Sequence, residues 1–196
     1  MRSMLVSILL ILCAIPLFMA LPHRPVHAGS TESINPLVTG SVNRNTAEET
    51  RDLATILDHI EPISRETQVS RSIAHATFCL PQNVLGTLYY GLLQLTGSVV
   101  TTADMNEVTI IVTRTPFMVS LGKYIFVSRA LLTENVVRHE YGHTMQGYTH
   151  GPFYLLFEGL TSFVQAVVSL CRPSFAKGYF DRWPENEADE LGGVTR

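Results

Sequence analysis

The sequence predicts an α+β domain, mainly helical, with a short β-hairpin lying beside a central helix. Three observations carry that expectation. Apolar residues recur at helical spacing in one segment, and two further segments carry helix start and stop signals. Two short runs are rich in β-branched and aromatic residues. The chain has 196 residues, 46% of them hydrophobic, enough for one folded unit with its own core.

The first residues form a separate module. Arg2 precedes an apolar run from Leu5 to Leu21, broken only by Ser7, and small-residue sites such as Val26-His27-Ala28 follow. Residues 1–28 therefore read as a signal peptide or a signal anchor. The run exceeds the usual apolar core of about 7 to 15 residues, which suits an anchor. Pro16 in its middle disfavours a continuous spanning helix, which suits cleavage. Both readings place the domain outside the cytoplasm, in the periplasm or cell envelope or secreted. Leu12 stands where a lipoprotein signal needs a small residue, so Cys13 is not read as a lipid attachment site. Residues 29–45, rich in Gly, Ser, Thr and Asn without an apolar period, read as a linker, leaving 46–196 as the folded, metal-binding domain.

That domain opens with a helix. Thr46 and Glu49 form a capping box, and Leu53, Ile56, Leu57 and Ile60 repeat at helical spacing until Pro62. From Ser72 to Ala103 there is no Asp, Glu, Lys or Arg. Gly86, Gly91, Gln94 and Gly97 punctuate the stretch, and a span needs about 20 predominantly apolar residues, so a buried or interfacial helix is expected. The same holds for residues 153–171, where Glu158 would cost several kcal/mol at mid-membrane unless it faced protein or bound a metal. Val108 to Val112 and Tyr124 to Val127 read as the strands of the hairpin, with a turn at Ser120-Leu121-Gly122-Lys123 before the second.

Composition sets further bounds. Charged residues make up only 16%, against roughly 25% in an ordinary soluble domain, which is consistent with membrane association. The net charge is -3 without a basic or acidic block, so nucleic acid is excluded as a partner. Cys79 and Cys171 are either a pair that an oxidising compartment could join or two small buried hydrophobes. There is no Cys-x-x-Cys, which excludes a thiolate zinc site of that type.

The chemistry concentrates at His139-Glu140-Tyr141-Gly142-His143. Residues four apart share a helix face, so His139 and His143 can present imidazole nitrogens to one zinc ion while Glu140 projects beside it. Zinc there activates a water and polarises a carbonyl, with Glu140 as general base. Thr133 and Glu134 suit the start of that helix, and the hairpin before it offers an edge strand to an extended peptide. Without a metal, the same residues are two helix-surface histidines and an incidental glutamate.

Three residues compete as third ligand. Pro184 fits the first turn and Gly192 the end of a short helix that puts Glu185 and Asp189 on one face. Glu185 could then bind zinc while Asp189 accepts a hydrogen bond from a ligand histidine. His150 completes His-Glu-x-x-His-x-x-x-Gly-x-x-His with Gly147. A continuous helix would carry it about 16 Å from His139, so this choice requires Gly147 to end the helix. Glu158 is a carboxylate on an apolar segment that would lead away from the site.

The His-Glu-x-x-His motif followed by Glu185-x-x-x-Asp189 resembles the gluzincin arrangement, whereas the His150 spacing resembles the archaemetzincin pattern without its downstream methionine or its Cys-rich continuation. The blocks CLPQNVLGTLYY, SLGKYIFV, HEYGHTMQ, GPFYLL and ENEADELGGV resemble a family of small uncharacterised bacterial proteins over roughly residues 79 to 196. This resemblance implies a zincin-like helical domain with a small sheet above the motif helix, and it favours Glu185. The resemblance to zincins implies a zinc-dependent hydrolase, a metallopeptidase acting on a peptide or protein. The alternative is a non-catalytic, membrane-associated envelope protein with a structural zinc site or a peptide-binding role.

Overall fold

A computed structural model describes residues 42–60 and 65–196. The signal segment 1–28, the linker up to residue 41, and Pro62 lie outside the described residues. The domain is α+β, with helices on both faces of one mixed four-stranded sheet.

Helix α1 (Val42–Asp58) starts before the Thr46 expected as its cap. No Pro or Gly between 41 and 45 stops it earlier. Glu49 is not part of a capping box, because its carboxylate pairs with Arg129 Nε at 2.8 Å. The apolar face read from the periodicity is the packed one: Leu53 is in the core, with Ile56, Leu57 and Ile60 against it. Helices α2 (Arg65–Thr77) and α3 (Leu80–Leu95) follow.

The sheet comprises β1 (Val99–Met105), β2 (Val108–Thr113), β3 (Val119–Leu121) and β4 (Tyr124–Ser128), in the order β1-β2-β4-β3. The two runs expected to form a hairpin do not. β2 and β4 pair in parallel, Ile110 opposite Ile125 and Val112 opposite Val127. Both are almost continuously buried, and strands covered on both faces belong in the middle of a sheet. Each instead has its own antiparallel hairpin partner at the edge, β1 for β2 and β3 for β4. The turn expected at Ser120 to Lys123 joins β3 to β4, where Gly122 takes a φ of 64°.

The two sheet faces are distinct. Ile110, Val112, Ile125 and Val127 pack with Leu53 of α1 and Val137 of α4 (Glu134–His150). On the other face Phe126 meets Tyr89 of α3, ring to ring at 4.7 Å. Ser120 pairs with Ile125 in the β3–β4 register, so its side chain points to the face that α4 covers.

Beyond α4 the chain bends by 111° and the apolar segment forms a helix over Leu155–Cys171. It passes through a π-helical turn, Leu155–Gly159, into α5 (Leu160–Cys171), followed by the short α6 (Pro173–Ala176) and by α7 (Glu185–Gly192). Among the described residues no single helix is long and apolar enough to cross a membrane. Cys79 and Cys171 are both free, the first buried with its thiol donating to Gly147 O and the second exposed.

Candidate metal centre

The centre is made where α7 crosses α4. Thr133 caps α4, its Oγ1 accepting from Val136 N, and the helix then carries His139, Glu140 and His143 into the interior, all three buried. Two glycines let α7 come close enough to meet them. A Cβ on Gly142 would stand 1.9 Å from Ala188 O, and one on Gly192 2.0 Å from Arg138 O. Both contacts are to backbone, so neither can be relieved by a rotamer change. Gly142→Ala is therefore expected to push α7 away, lowering stability by about 1–3 kcal/mol as overpacking does. Metal content would drop with it. Thermal unfolding and elemental analysis check this, and a variant as stable and as metal-rich as the parent would refute the account.

The close approach puts Glu185 and Asp189 against the histidines. His139 Nδ1 lies 2.7 Å from Asp189 Oδ1, and Asp189 also accepts from Arg196. A carboxylate can only accept, so His139 Nδ1 carries a proton and Nε2 is the nitrogen left to face Glu185 or a metal. His143 is fixed in the same way by Gln146. The Gln146 amide nitrogen donates to Pro184 O at 2.8 Å and to Glu187 Oε2 at 2.9 Å, so its oxygen is the atom facing His143 Nδ1 at 2.8 Å. This assigns the amide orientation from its hydrogen-bond partners. His143 Nε2 is therefore likewise the nitrogen left to face Glu185 or a metal.

Both Nε2 atoms converge on one carboxylate. Glu185 Oε2 is 3.1 Å from His139 Nε2 and 3.5 Å from His143 Nε2. Glu185 is only 1% exposed, and its Oε1 makes no hydrogen bond. Two imidazole nitrogens and a carboxylate brought together in the interior need protons on the nitrogens, or a cation in their place. Donor atoms of His139, His143 and Glu185 all lie within 4.8 Å of one another, so this group could hold a metal ion.

The titration behaviour agrees with that need. Burial pushes the His143 imidazole down, but hydrogen bonding to Glu185 and the charges of Glu140 and Glu185 outweigh it and raise its pKa to about 9. Burial pushes the Glu185 carboxyl up, yet hydrogen bonds from both histidines hold it well below the usual range. Asp189 is likewise held low against burial by Arg196 and His139. A proton and a metal ion would compete for this one site.

Glu140 faces a different neighbour. Ser120 Oγ on β3 stands 2.8 Å from Glu140 Oε2 and donates to it or to the Glu140 carbonyl oxygen. Burial raises the Glu140 pKa, while the nearby histidines and Ser120 oppose the rise. Tyr154 is buried close by, its pKa pushed well up by burial and then by the charges of Glu140 and Glu185. Phe180 sets its ring edge-on to His139 at 5.4 Å, with the Arg196 guanidinium 3.4 Å above that ring.

The other two candidates for third ligand are elsewhere. α4 runs unbroken through Gly147 to His150, so the helix does not turn back as the His150 reading required. His150 Nδ1 instead lies 2.7 Å from Glu158 Oε1, an ion-pair distance off the line of a hydrogen bond. Glu158 sits buried in the π-turn and is matched with His150 rather than with the metal group. Gln146, Ser120, Tyr154 and Arg196 were not singled out in the sequence. Gln146 had a usable signal, since it stands three residues after His143 on the same helix face. Ser120 and Arg196 reach the site only through tertiary packing.

No protein-family model, curated protein or solved structure matches this chain, so residues and geometry carry its functional reading.

Proposed function

We propose that this chain is a zinc-dependent hydrolase, a peptidase of zincin type with the gluzincin arrangement, held at the cell envelope outside the cytoplasm. The observation that carries the reading is the pair of Nε2 atoms and the Glu185 carboxyl group brought together in the interior beside a second acidic residue, Glu140. Donors about 2.0–2.1 Å from a tetrahedral zinc stand roughly 3.3–3.4 Å apart. The observed separations of 3.1 and 3.5 Å bracket that value. Imidazole and carboxylate are also the donor types of catalytic zinc sites with three protein ligands.

Zinc bound there would activate a water and polarise the scissile carbonyl. His139, His143 and Glu185 hold the ion. Asp189 and Gln146 keep the two imidazoles in the tautomer that offers Nε2. Glu140 lies outside the ligand group and takes the proton from the attacking water, then delivers it to the leaving amine. Ser120 anchors the Glu140 carboxylate to the edge strand β3. That edge offers backbone groups to an extended chain, which supports a peptide or protein substrate.

Elemental analysis of the purified full chain should give about one zinc per molecule. Hydrolysis of an unbiased peptide mixture should stop with a chelator and return with zinc. Bound zinc without turnover on any peptide would leave a structural site and overturn the hydrolase reading. Metal binding should also expel a proton. His143 is protonated below its raised pKa of about 9, so metal uptake at pH 7.5 must displace that proton. Affinity therefore rises with pH and levels off near 9. Calorimetry in buffers of different ionisation enthalpy measures the release, and zero protons released at pH 7.5 would contradict it.

A further inference from the structure

Two buried polar atoms away from the metal centre lack a hydrogen-bond partner, and both belong to residues that line one cleft. Glu107, in the turn between β1 and β2, has a side chain only 1% exposed. Its Oε1 accepts from Arg71 at 3.2 Å, from Tyr141 at 3.2 Å and from Tyr148 at 2.8 Å. Its Oε2 accepts from nothing among the described residues. His75 of α2 is buried beside it. The Tyr148 hydroxyl gives its proton to Glu107, so it accepts from His75 Nε2 at 2.6 Å. Burial lowers the His75 pKa to about 4, with Lys123 and Arg71 adding to the fall and Glu107 opposing it. The ring is therefore neutral and its Nδ1 is an acceptor, again without a partner among the described residues. A buried acceptor without a donor is costly, and two held side by side by one tyrosine call for a donor from outside.

The cleft has a volume of about 600 Å³, within the range of small-ligand sites. His75 and Glu107 form its buried end. Leu80, Val84 and Leu88 of α3 give it an apolar wall, and Lys123, exposed in the turn between β3 and β4, is its free cation.

We propose that this cleft binds a short peptide by a free amino end with an aliphatic first residue, the ammonium donating to Glu107 Oε2 and His75 Nδ1 and the carboxylate end lying towards Lys123. Each part of the ligand answers one part of the cleft. Two acceptors, one of them on a carboxylate, select a positively charged group with several N–H donors. Three aliphatic side chains select an aliphatic substituent beside that group. Lys123 would repel a ligand that carried only a cation, so it selects one with an anion at the far end. An unblocked peptide has all three in that order, and the volume leaves room for more than one residue. Neither His75 nor Glu107 belongs to the metal group, and the inference goes beyond the hydrolase reading and stands without it.

The test is a calorimetric titration of the full chain with leucyl-glycyl-glycine, in excess chelator so that no metal takes part. One saturable site is expected, with a Kd of roughly 0.1–1 mM, as a contact of this size allows. Acetylating the amino end should weaken binding by about tenfold or more, since it removes the charged donor. Glu107→Gln, checked for folding by circular dichroism, should do the same. Lys123→Ala, at an exposed position, should weaken binding by about two- to five-fold. Amidating the carboxyl end should match that loss in the parent and add nothing in the Lys123→Ala variant. Equal binding of the free and acetylated peptides would overturn the proposal, and so would the absence of saturable heat at about 5 mM peptide. Both outcomes are read on the parent chain and hold even if Glu107→Gln fails to fold. Binding that appears only when zinc replaces the chelator would give the peptide to the metal centre and overturn it too.

Discussion

Glu140→Gln is expected to lower peptide turnover by roughly 10²- to 10⁴-fold, the usual contribution of a positioned general base, while about one zinc per chain remains bound. The amide has the shape of the carboxylate and can still accept from Ser120 Oγ, which donates to Glu140 Oε2 at 2.8 Å. It cannot take a proton. Glu140 is also outside the group of donor atoms that lie together at His139, His143 and Glu185, so its replacement removes no ligand. The effect should therefore fall on kcat and leave metal content untouched. Initial rates and elemental analysis on the same preparation separate the two. Full activity in the variant would remove Glu140 from the mechanism. Parallel loss of metal and turnover would make it a ligand instead, and the tautomer argument at His139 and His143 would need revision.

Much of the neighbourhood of that residue was legible because it is local. A helix with a fixed rise places His139, Glu140 and His143 on adjoining faces wherever it forms, and the Thr133 cap marks where it starts. The pattern Pro184 to Gly192 likewise marked a short helix with Glu185 and Asp189 on one side. What brings the two helices together is not local. Gly142 and Gly192 gave no sign in the sequence that each would face backbone of the other helix. The sheet shows the same limit. The β-branched runs at β2 and β4 were readable, but their parallel pairing depends on two edge strands, of which β1 was hidden at the end of an apolar stretch and β3 is three residues long. Strand partners are chosen by burial across the whole domain. The start of α1 was misplaced for a related reason. A capping-box pattern in the interior of a helix caps nothing, and Glu49 is held by the distant Arg129.

The sharpest division among the candidate ligands comes from metal titration of three variants. Glu185→Ala should weaken zinc binding by more than the 10- to 100-fold typical of outer partners, since it removes the one carboxylate that meets both Nε2 atoms. Asp189→Asn should weaken it by about 10- to 100-fold. Asparagine can still accept from His139 Nδ1, but the neutral amide loses the charge that makes that imidazole a stronger donor to metal and the ion pair with Arg196. His150→Ala should leave affinity unchanged, because the continuous α4 carries His150 into its pairing with Glu158. It would instead leave the Glu158 carboxyl group, 1% exposed, without the imidazole that stands 2.7 Å from it, and the cost should appear as lost stability. Competition against a chromophoric chelator gives the three affinities, and thermal unfolding in excess chelator gives the stabilities without metal. A large loss of affinity at His150 with none at Glu185 would mean that α4 breaks at Gly147 in solution and that the metal sits on the three histidines of the other spacing.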